Sequence, residues 1–152
     1  MLALGQGWGI DAQQANGEKV LVASTVVLPY GADFAWVSMV LVLPEFQRRG
    51  LASLMLMHVL AVLRAQGRAA VLDATPAGHA VYLQNGFVDT WGFARYRLER
   101  PALSTATAGL LLRLPRVSLS VRPLHARDWP AIAALDAPAF GASRLPLLQL
   151  IA

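Results

Sequence analysis

Cysteine is absent from this sequence of 152 residues. Its absence excludes disulfide bonds, thiolate metal sites and a cysteine nucleophile. Charged side chains are also scarce, since they make up 14% of the residues against a usual share of about a quarter, whereas hydrophobic residues reach 56%. We therefore expect part of this apolar surface to be covered by a partner.

Long hydrophobic runs are lacking as well. A membrane-spanning helix needs about 18 or more consecutive apolar residues, but Ser53 and His58 interrupt the longest run and Arg64 ends it. The first residues also lack the basic and apolar pattern of a secretory signal peptide. We therefore expect a cytoplasmic protein with no membrane partner.

The excess of positive charge is small and scattered. The formal net charge is +4, and the arginines form no basic stripe interleaved with aromatic residues, which is the pattern that binds single-stranded nucleic acid. We therefore expect no nucleic-acid partner, and we expect no metal ion.

The pattern of apolar residues and turns predicts alternating strands and helices. Asn16-Gly17 is a strong hairpin signal, because both turn positions need positive φ. A strand, a helix and a second strand in succession imply parallel pairing of the two strands. The predicted elements are strands at 19–28, 34–43, 69–72 and 88–98, a helix at 51–66 and a second helix that begins at Pro76 and carries Tyr82.

The stretch 40–52 joins the second of these strands to the first helix through a basic turn that contains Gly50. The first N–H groups of a helix have no partner inside it and lie at the positive end of its dipole, so they bind anions well. Gly50 lets the backbone come close to a ligand, while Arg48 and Arg49 favour a polyanion. On its own, the same pattern also fits an ordinary surface turn.

Two short motifs give this turn a more specific interpretation. Gln47-Arg48-Arg49-Gly50-Leu51-Ala52 fits the signature Q/R-x-x-G-x-G/A, and Tyr82-Leu83-Gln84-Asn85-Gly86-Phe87 fits Y-x-x-x-G-F. In this order and spacing they resemble the GNAT acetyltransferase family, over residues 10–98, and the similarity is greatest to one half of a bacterial tandem-GNAT protein. The resemblance implies an α+β GNAT fold with a mixed central sheet flanked by helices.

The resemblance also implies a reaction. An acetyl group passes from acetyl-CoA, the only cofactor expected, to a primary amine by direct attack; the acceptor is a small molecule or a peptide. The backbone of Gln47, Arg48, Arg49, Gly50, Leu51 and Ala52 is implied to hold the pyrophosphate, and that of Val40, Leu41 and Val42 to pair with the pantetheine arm. The Leu41 amide is implied to polarise the thioester carbonyl. The alternative is a catalytically weak acyl-CoA-binding domain with a regulatory or structural role.

Three further side chains have implied roles. Tyr82 would be the general acid that protonates the leaving thiolate, although it could instead be a tyrosine packed on its helix. Asp73 is the first candidate for the general base and His79 the second, while Asp73 could equally fix the turn before Thr75. Thr75 stands where many family members have an asparagine that contacts CoA.

The last third of the chain predicts a different arrangement. We expect a GNAT core at 1–100, a connector at 101–116, and a strand-helix-helix segment at 117–152, with the strand at 117–122. This segment resembles the start of a GNAT domain, so the first strand and helices are displaced to the C-terminus. The chain is then either a piece of a tandem protein or a rearranged single domain. An unpaired sheet edge would favour a homodimer, in which 117–152 pack on their own sheet or on the partner's.

Overall fold

The computed structural model describes residues 4–94, 96 and 120–152. The chain divides into two compact units. The first consists of the residues up to Val88 together with Trp129–Ala152, and the second is Asp89–Asp128.

A mixed four-stranded sheet forms the centre of the first unit. Its strands lie in the order of the chain, with β1 to β3 antiparallel and β4 parallel to β3. The predicted turn at Asn16-Gly17 joins β1 to β2, with Gly17 at a φ of 84°. The parallel pairing predicted from the strand-helix-strand order is confirmed. The strands are β1 Gln6–Gln13, β2 Lys19–Tyr30, β3 Phe34–Val42 and β4 Ala69–Val71.

Four α-helices complete the described part of the chain. Helix α1, Leu51–Ala65, connects β3 to β4, and α2, Pro76–Gln84, follows β4. Two further helices, α3 at Trp129–Phe140 and α4 at Leu145–Ile151, lie near the C-terminus. No helix among the described residues is long and apolar enough to cross a membrane.

The hydrophobic core lies between the sheet and α1. It contains buried residues that are at most 4% exposed and that come from β2, β3 and one face of α1, namely Val27, Ala35, Val37, Leu56, Val59 and Leu63. On the same face, the ring of Trp8 meets His58 of α1 edge-on, with 5.3 Å between centroids. Burial of these apolar side chains fixes α1, and therefore the turn that precedes it, against β3.

Aromatic residues fill part of the other face of the sheet. Phe140, at the end of α3, lies with its ring centroid 4.9 Å from that of Tyr30, 5.9 Å from Phe34 and 5.8 Å from Trp36. The side chain of Arg144 stacks on Phe140 and forms an ion pair with Asp136. The end of α3 thus packs on the sheet of its own chain through Phe140.

One predicted strand is wrong within the described residues. Residues 87–94 have no regular secondary structure, although we expected a strand at 88–98; residues 95, 97 and 98 lie outside the described part. A strand exists only through pairing, and the three residues of β4 offer a short edge. The apolar side chains that suggested a strand are instead exposed, by 79% for Val88, 68% for Trp91 and 55% for Phe93.

The expected strand at 117–122 is only partly covered by the structure. Residues 117–119 lie outside the described part, and Ser120, Val121 and Arg122 are not in a strand. The connector at 101–116 also lies outside it. The three-part division of the chain therefore stays a prediction.

Candidate functional site

The turn between β3 and α1 leaves the first N–H groups of α1 open to a ligand. A short 3-10 turn at Pro44–Phe46 follows β3, and Gly50 caps α1 with a φ of 78°. Gly50 has no side chain, and α1 has no side-chain hydrogen bond at its N-terminus among the described residues. The first-turn N–H groups of Leu51, Ala52 and Ser53 thus form the positive end of a 15-residue helix, which suits an anion.

The two arginines of the turn are exposed, but Arg49 already has partners within the protein. The guanidinium of Arg49 donates to the carbonyl oxygen of Glu45 at 2.8 Å and lies 5.0 Å from the ring centroid of Phe46. Arg48 has a φ of 59°, which is unusual for a residue other than glycine. Both charges remain beside the helix terminus, where they add to the positive potential.

Gln47 connects this turn to the strand before it. Its Nε2 donates to the carbonyl oxygen of Val42 at 3.1 Å. Val42 is the last residue of β3, so the hydrogen bond fixes the first residue of the motif against the end of the strand.

A β-bulge interrupts β3 close to the turn. Leu41 lies opposite Ser24, and Ser38 lies opposite Val26, so β3 has one more residue than β2 between these pairs. Met39 lies within the bulge and adopts a φ of 53°. An extra residue changes which backbone groups point to each side of the strand.

The outer edge of β3 is open beyond the bulge. Trp36 is the last residue of β3 that pairs with β4, opposite Val71. No strand in the described ranges, 4–94, 96 and 120–152, lies along the outer edge of the following residues of β3. Their outward N–H and C=O groups can therefore pair with a ligand in the way that a further strand would.

The register identifies which backbone groups face this open edge. The N–H of Leu43 donates to the carbonyl oxygen of Val22 at 2.9 Å, so Leu43 faces β2. Alternation along an antiparallel strand then directs Leu41 toward β2 and directs Val40 and Val42 outward. Leu41, the residue implied for the polarising amide, thus has its N–H on the β2 side, and Val40 becomes the candidate for that role.

Helix α2 presents the tyrosine of the second motif. Tyr82 is half-buried, and its ring meets Phe87 edge-on with 5.9 Å between centroids. Burial raises the pKa of Tyr82 above the ordinary value of 10.0, so its hydroxyl is protonated at neutral pH. The ring lies back over Gly78, where an added Cβ would be 2.9 Å from Cε2 and 3.3 Å from the hydroxyl oxygen of Tyr82.

Thr75 and Asp73 lie between β4 and α2. Thr75 is the N-cap of α2, as predicted, and its Oγ1 accepts a hydrogen bond from the N–H of Gly78 at 3.3 Å. The hydroxyl hydrogen of Thr75 can still donate to another group. Asp73 is exposed just after β4, while His79 is half-buried within α2.

The structure reveals three contributors that sequence reasoning missed: the bulge at Met39, the space at Gly78, and a hydrogen bond between Asn85 and Ser53. Asn85 stands inside the second motif and Ser53 directly after the first, so the two motifs indicate the region of the site in which both residues lie. Their contact joins residues 32 positions apart, and nothing in the local sequence signals it.

Among the described residues of the second unit, Arg122, His125 and Asp128 form a group of hydrogen bonds. Arg122 donates to both carboxylate oxygens of Asp128 at 2.7 Å, and the N–H of His125 donates to the same carboxylate at 2.8 Å. These hydrogen bonds lower the pKa of Asp128 to about 2. Across residues 4–94, 96 and 120–152, no group of three or more histidine or acidic side chains is arranged to hold a metal ion.

Comparison with known proteins identifies the family. Residues 11–89 match the family model described as "Acetyltransferase (GNAT) domain", which is more than half of the chain. The chain therefore belongs to the GNAT acetyltransferase family. A curated Escherichia coli (strain K12) protein, "Uncharacterized N-acetyltransferase YedL", is 44% identical over 62 residues, which cover 37% of this chain and 39% of the relative.

Solved structures share the fold. A putative acetyltransferase from Pyrococcus horikoshii is 25% identical with a TM-score of 0.57, over 85% of this chain and 41% of that chain. A GCN5-related N-acetyltransferase from Ralstonia eutropha is 20% identical with a TM-score of 0.50, over 62% of this chain and 66% of that chain. The chain thus spans about two fifths of the length of the curated relative and of the Pyrococcus protein.

Proposed function

We propose that this chain binds acetyl-CoA and transfers its acetyl group to a primary amine. The observation that carries the proposal is the open end of α1 beside the open edge of β3, because these two features match two adjacent parts of an acyl-CoA. One binds a charged pyrophosphate, and the other binds an extended chain that contains amides. Membership of the GNAT family supports the same ligand.

The pyrophosphate would lie at the N-terminus of α1. The backbone N–H groups of Leu51 and Ala52, with those of the turn Gln47, Arg48, Arg49 and Gly50, would donate to its oxygens. Arg48 would add charge from solvent, whereas Arg49 would contribute mainly by supporting the preceding turn through Glu45.

The pantetheine arm would run along the open edge of β3. The backbone of Val40 and the N–H of Val42 face this edge. The carbonyl oxygen of Val42 already accepts from Gln47, so the arm would find its acceptor at Val40. Gln47 thereby limits where along the strand the arm can pair.

The reaction would be a direct acyl transfer. The amine nitrogen attacks the thioester carbonyl carbon, a C–N bond forms, and the negative charge on oxygen is met by the N–H of Val40. The C–S bond then breaks, and the thiolate of CoA takes the proton of the Tyr82 hydroxyl, which solvent replaces. The pKa of Tyr82 lies above 10.0, so the hydroxyl carries its proton before each turnover.

The amine must lose a proton during the transfer. Asp73 is exposed at the carboxyl end of β4, on the side where α1 begins, and remains the first candidate for the base. His79 of α2 is the second candidate. Thr75 would donate its hydroxyl hydrogen to the CoA chain while it caps α2.

A second candidate function is an acyl-CoA-binding domain that turns over slowly, with a regulatory or structural role. The observation that favours it is the composition of β3, Phe34–Val42, which contains no carboxylate beside the open edge. Binding would then be retained while deprotonation of the amine depended on solvent.

Thermal unfolding with and without acetyl-CoA tests the shared part of both functions. At a hundredfold excess over the dissociation constant, a ligand that binds only the folded state adds about 2.7 kcal/mol. For a chain of this size the midpoint should rise by roughly 5–10 °C. An unchanged midpoint at saturating acetyl-CoA would contradict both functions.

Release of CoA separates the two functions. The sequence has no cysteine, so a thiol reagent reports CoA without a background from the protein. Release that depends on one amine among a panel of small amines and peptide N-termini supports the transferase. A thermal shift without release above the rate of hydrolysis supports the binding domain.

A further inference from the structure

The proposed phosphate-binding turn lies on α1 and Tyr82 lies on α2, and these two helices differ in how far they are buried in the core. Helix α1 contributes the buried residues Met55, Leu56, Val59 and Leu63. None of the nine residues of α2, all of which the structure describes, is fully buried. Only the partly buried residues around Tyr82 pack against the core, so apolar burial alone fixes α2 weakly.

Asn85 supplies a polar connection between these helices. Its Nδ2 donates to the carbonyl oxygen of Val81 at 2.8 Å and to the Oγ of Ser53 at 3.2 Å, so both amide hydrogens have acceptors. Both contacts are partly buried, which protects them from competition with water. The bond to Val81 closes the end of α2, and the bond to Ser53 reaches the other helix.

The same turn also holds the backbone of the tyrosine. The carbonyl oxygen of Tyr82 accepts from the N–H of Asn85 at 3.0 Å and from that of Phe87 at 3.2 Å. Gly86 permits this turn with a φ of 87°. A shift of Asn85 would therefore move Tyr82 with it.

Ser53 stands at the opposite end of this connection, in the first turn of α1. It is the third residue of that helix, within the open terminus proposed to bind pyrophosphate. The Asn85–Ser53 bond thus runs directly from the turn that holds the tyrosine to the turn that would hold the phosphate.

We infer that Asn85 and Ser53 are positioning residues that set the distance between the Tyr82 hydroxyl and the bound thioester. The inference rests on the proposed function and adds a requirement to it. Acyl-CoA is anchored on α1, and the general acid Tyr82 is carried by α2. The bond between Asn85 and Ser53 keeps these two helices at a fixed distance.

Ser53→Ala is the cleanest test, because it removes the hydrogen bond between the helices and leaves the bond from Asn85 to Val81. Hydrolysis of acetyl-CoA, with water as the acceptor, gives kcat without knowledge of the amine. We expect kcat to fall about three- to tenfold, the range of one net hydrogen bond. The KM and Kd for acetyl-CoA should stay within about twofold, because the backbone N–H groups of α1 remain.

Three further variants distinguish positioning from general stability. Ser53→Thr keeps the hydroxyl and should restore kcat. Ser143→Ala removes a serine hydroxyl near α4, outside the site, and should leave kcat unchanged. In a Tyr82→Phe background, Ser53→Ala should cause no further loss of kcat, because no hydroxyl remains to be misplaced.

An NMR measurement reports the same geometry without any turnover. The nuclear Overhauser effect between the Tyr82 ring and the methyl groups of the core cluster that it packs against should weaken in Ser53→Ala and persist in Ser53→Thr. Equal losses of kcat with and without the Tyr82 hydroxyl would overturn the inference, as would an unchanged Overhauser effect together with an unchanged kcat. If Tyr82→Phe alone has full activity, the acid role in the proposed function fails instead.

Discussion

Individual residues with unusual backbone angles surround the candidate site. Met39 and Arg48 adopt φ angles of 53° and 59°, although neither is glycine. Each such conformation costs on the order of 1–3 kcal/mol and persists only where the surrounding structure imposes it. Met39 lies in the bulge directly before Val40, and Arg48 lies in the turn that leads to the N-terminus of α1. The strain thus lies beside the open edge of β3 and the N-terminus of α1.

Tyr82→Phe tests the acid at the residue scale. Removal of the hydroxyl leaves the ring and its contact with Phe87, so the fold and the affinity for acetyl-CoA should be preserved. We expect kcat to fall by about 10²–10⁴-fold if proton transfer limits the reaction, which is the usual contribution of a general acid. Steady-state kinetics with a thermal-shift control measure both quantities, and an unchanged kcat would remove Tyr82 from the mechanism.

We expect the protein to lose stability at alkaline pH, because two of its tyrosines have raised pKa values. Burial is the main cause that raises the pKa of both Tyr30 and Tyr82 above 10.0. The folded state therefore holds these protons more tightly than the unfolded chain does, so their contribution is intact below pH 10.0 and is lost as pH rises through the folded pKa values. Denaturant titrations at increasing pH should show this fall, and it should be shallower in Tyr30→Phe and Tyr82→Phe.

At the scale of elements, the site is made where regular structure ends. The turn proposed to bind the pyrophosphate is the N-terminus of α1, the open edge begins where β4 stops at Val71, and Tyr82 lies on a helix that follows β4. The first two of these positions leave backbone groups without partners inside the element. The candidate site thus depends on the lengths and ends of elements more than on a cluster of side chains.

Two glycines with the same backbone requirement give a matched test of the turn. Gly50 and Gly67 have φ angles of 78° and 68°, and an added Cβ would meet nothing within 4 Å at either position. Alanine should therefore cost about 1–2 kcal/mol of unfolding free energy at both, through backbone strain alone. Only Gly50→Ala should also weaken binding of acetyl-CoA, measured by titration calorimetry. Equal affinities in the two variants would contradict the role of the turn.

At the scale of the whole molecule, the chain covers both faces of its sheet unequally. Helix α1 packs along one face, and Phe140 anchors α3 against the start of β3 on the other. Large apolar side chains near the end of β3 remain exposed, by 48% for Met39 and 54% for Leu41. This surface accords with the unusually apolar composition of the sequence.

Phe140→Ala should release the C-terminal helices. The ring contacts three aromatic residues of the sheet and the guanidinium of Arg144, but it is only half-buried, so the loss of unfolding free energy should be about 2–4 kcal/mol. Limited proteolysis should then cut within 129–152. Leu135→Ala is the matched control, because Leu135 lies on the same helix and is 77% exposed. Equal protease resistance of both variants would contradict the anchoring role.

The expected homodimer stays a prediction. Within the described residues β1 pairs only with β2, so the eight residues of β1 leave an edge to which another chain can add. Sedimentation equilibrium should give twice the chain mass of 16.3 kDa. A single species of monomer mass at every concentration would count against the dimer.

Local signals predicted much of the fold. Asn16-Gly17 predicted the first hairpin, the spacing of apolar residues predicted α1, and Thr75-Pro76 predicted the start of α2. Each signal acts through steric and hydrogen-bonding preferences of a few neighbouring residues. The apolar stretch from Val88 gave a wrong strand prediction. A strand also needs a neighbouring edge to pair with, and the local sequence does not show whether such an edge is available.

The sequence by itself determined the family and the positions of the two motifs, because glycine at 50 and tyrosine at 82 are local features. Only the tertiary structure decided that Val40 faces the open edge instead of Leu41, that Asn85 meets Ser53, and that α3 packs on its own sheet. These outcomes depend on strand register and on contacts between residues far apart in the chain. Such contacts form only when the burial of apolar surface brings whole elements together.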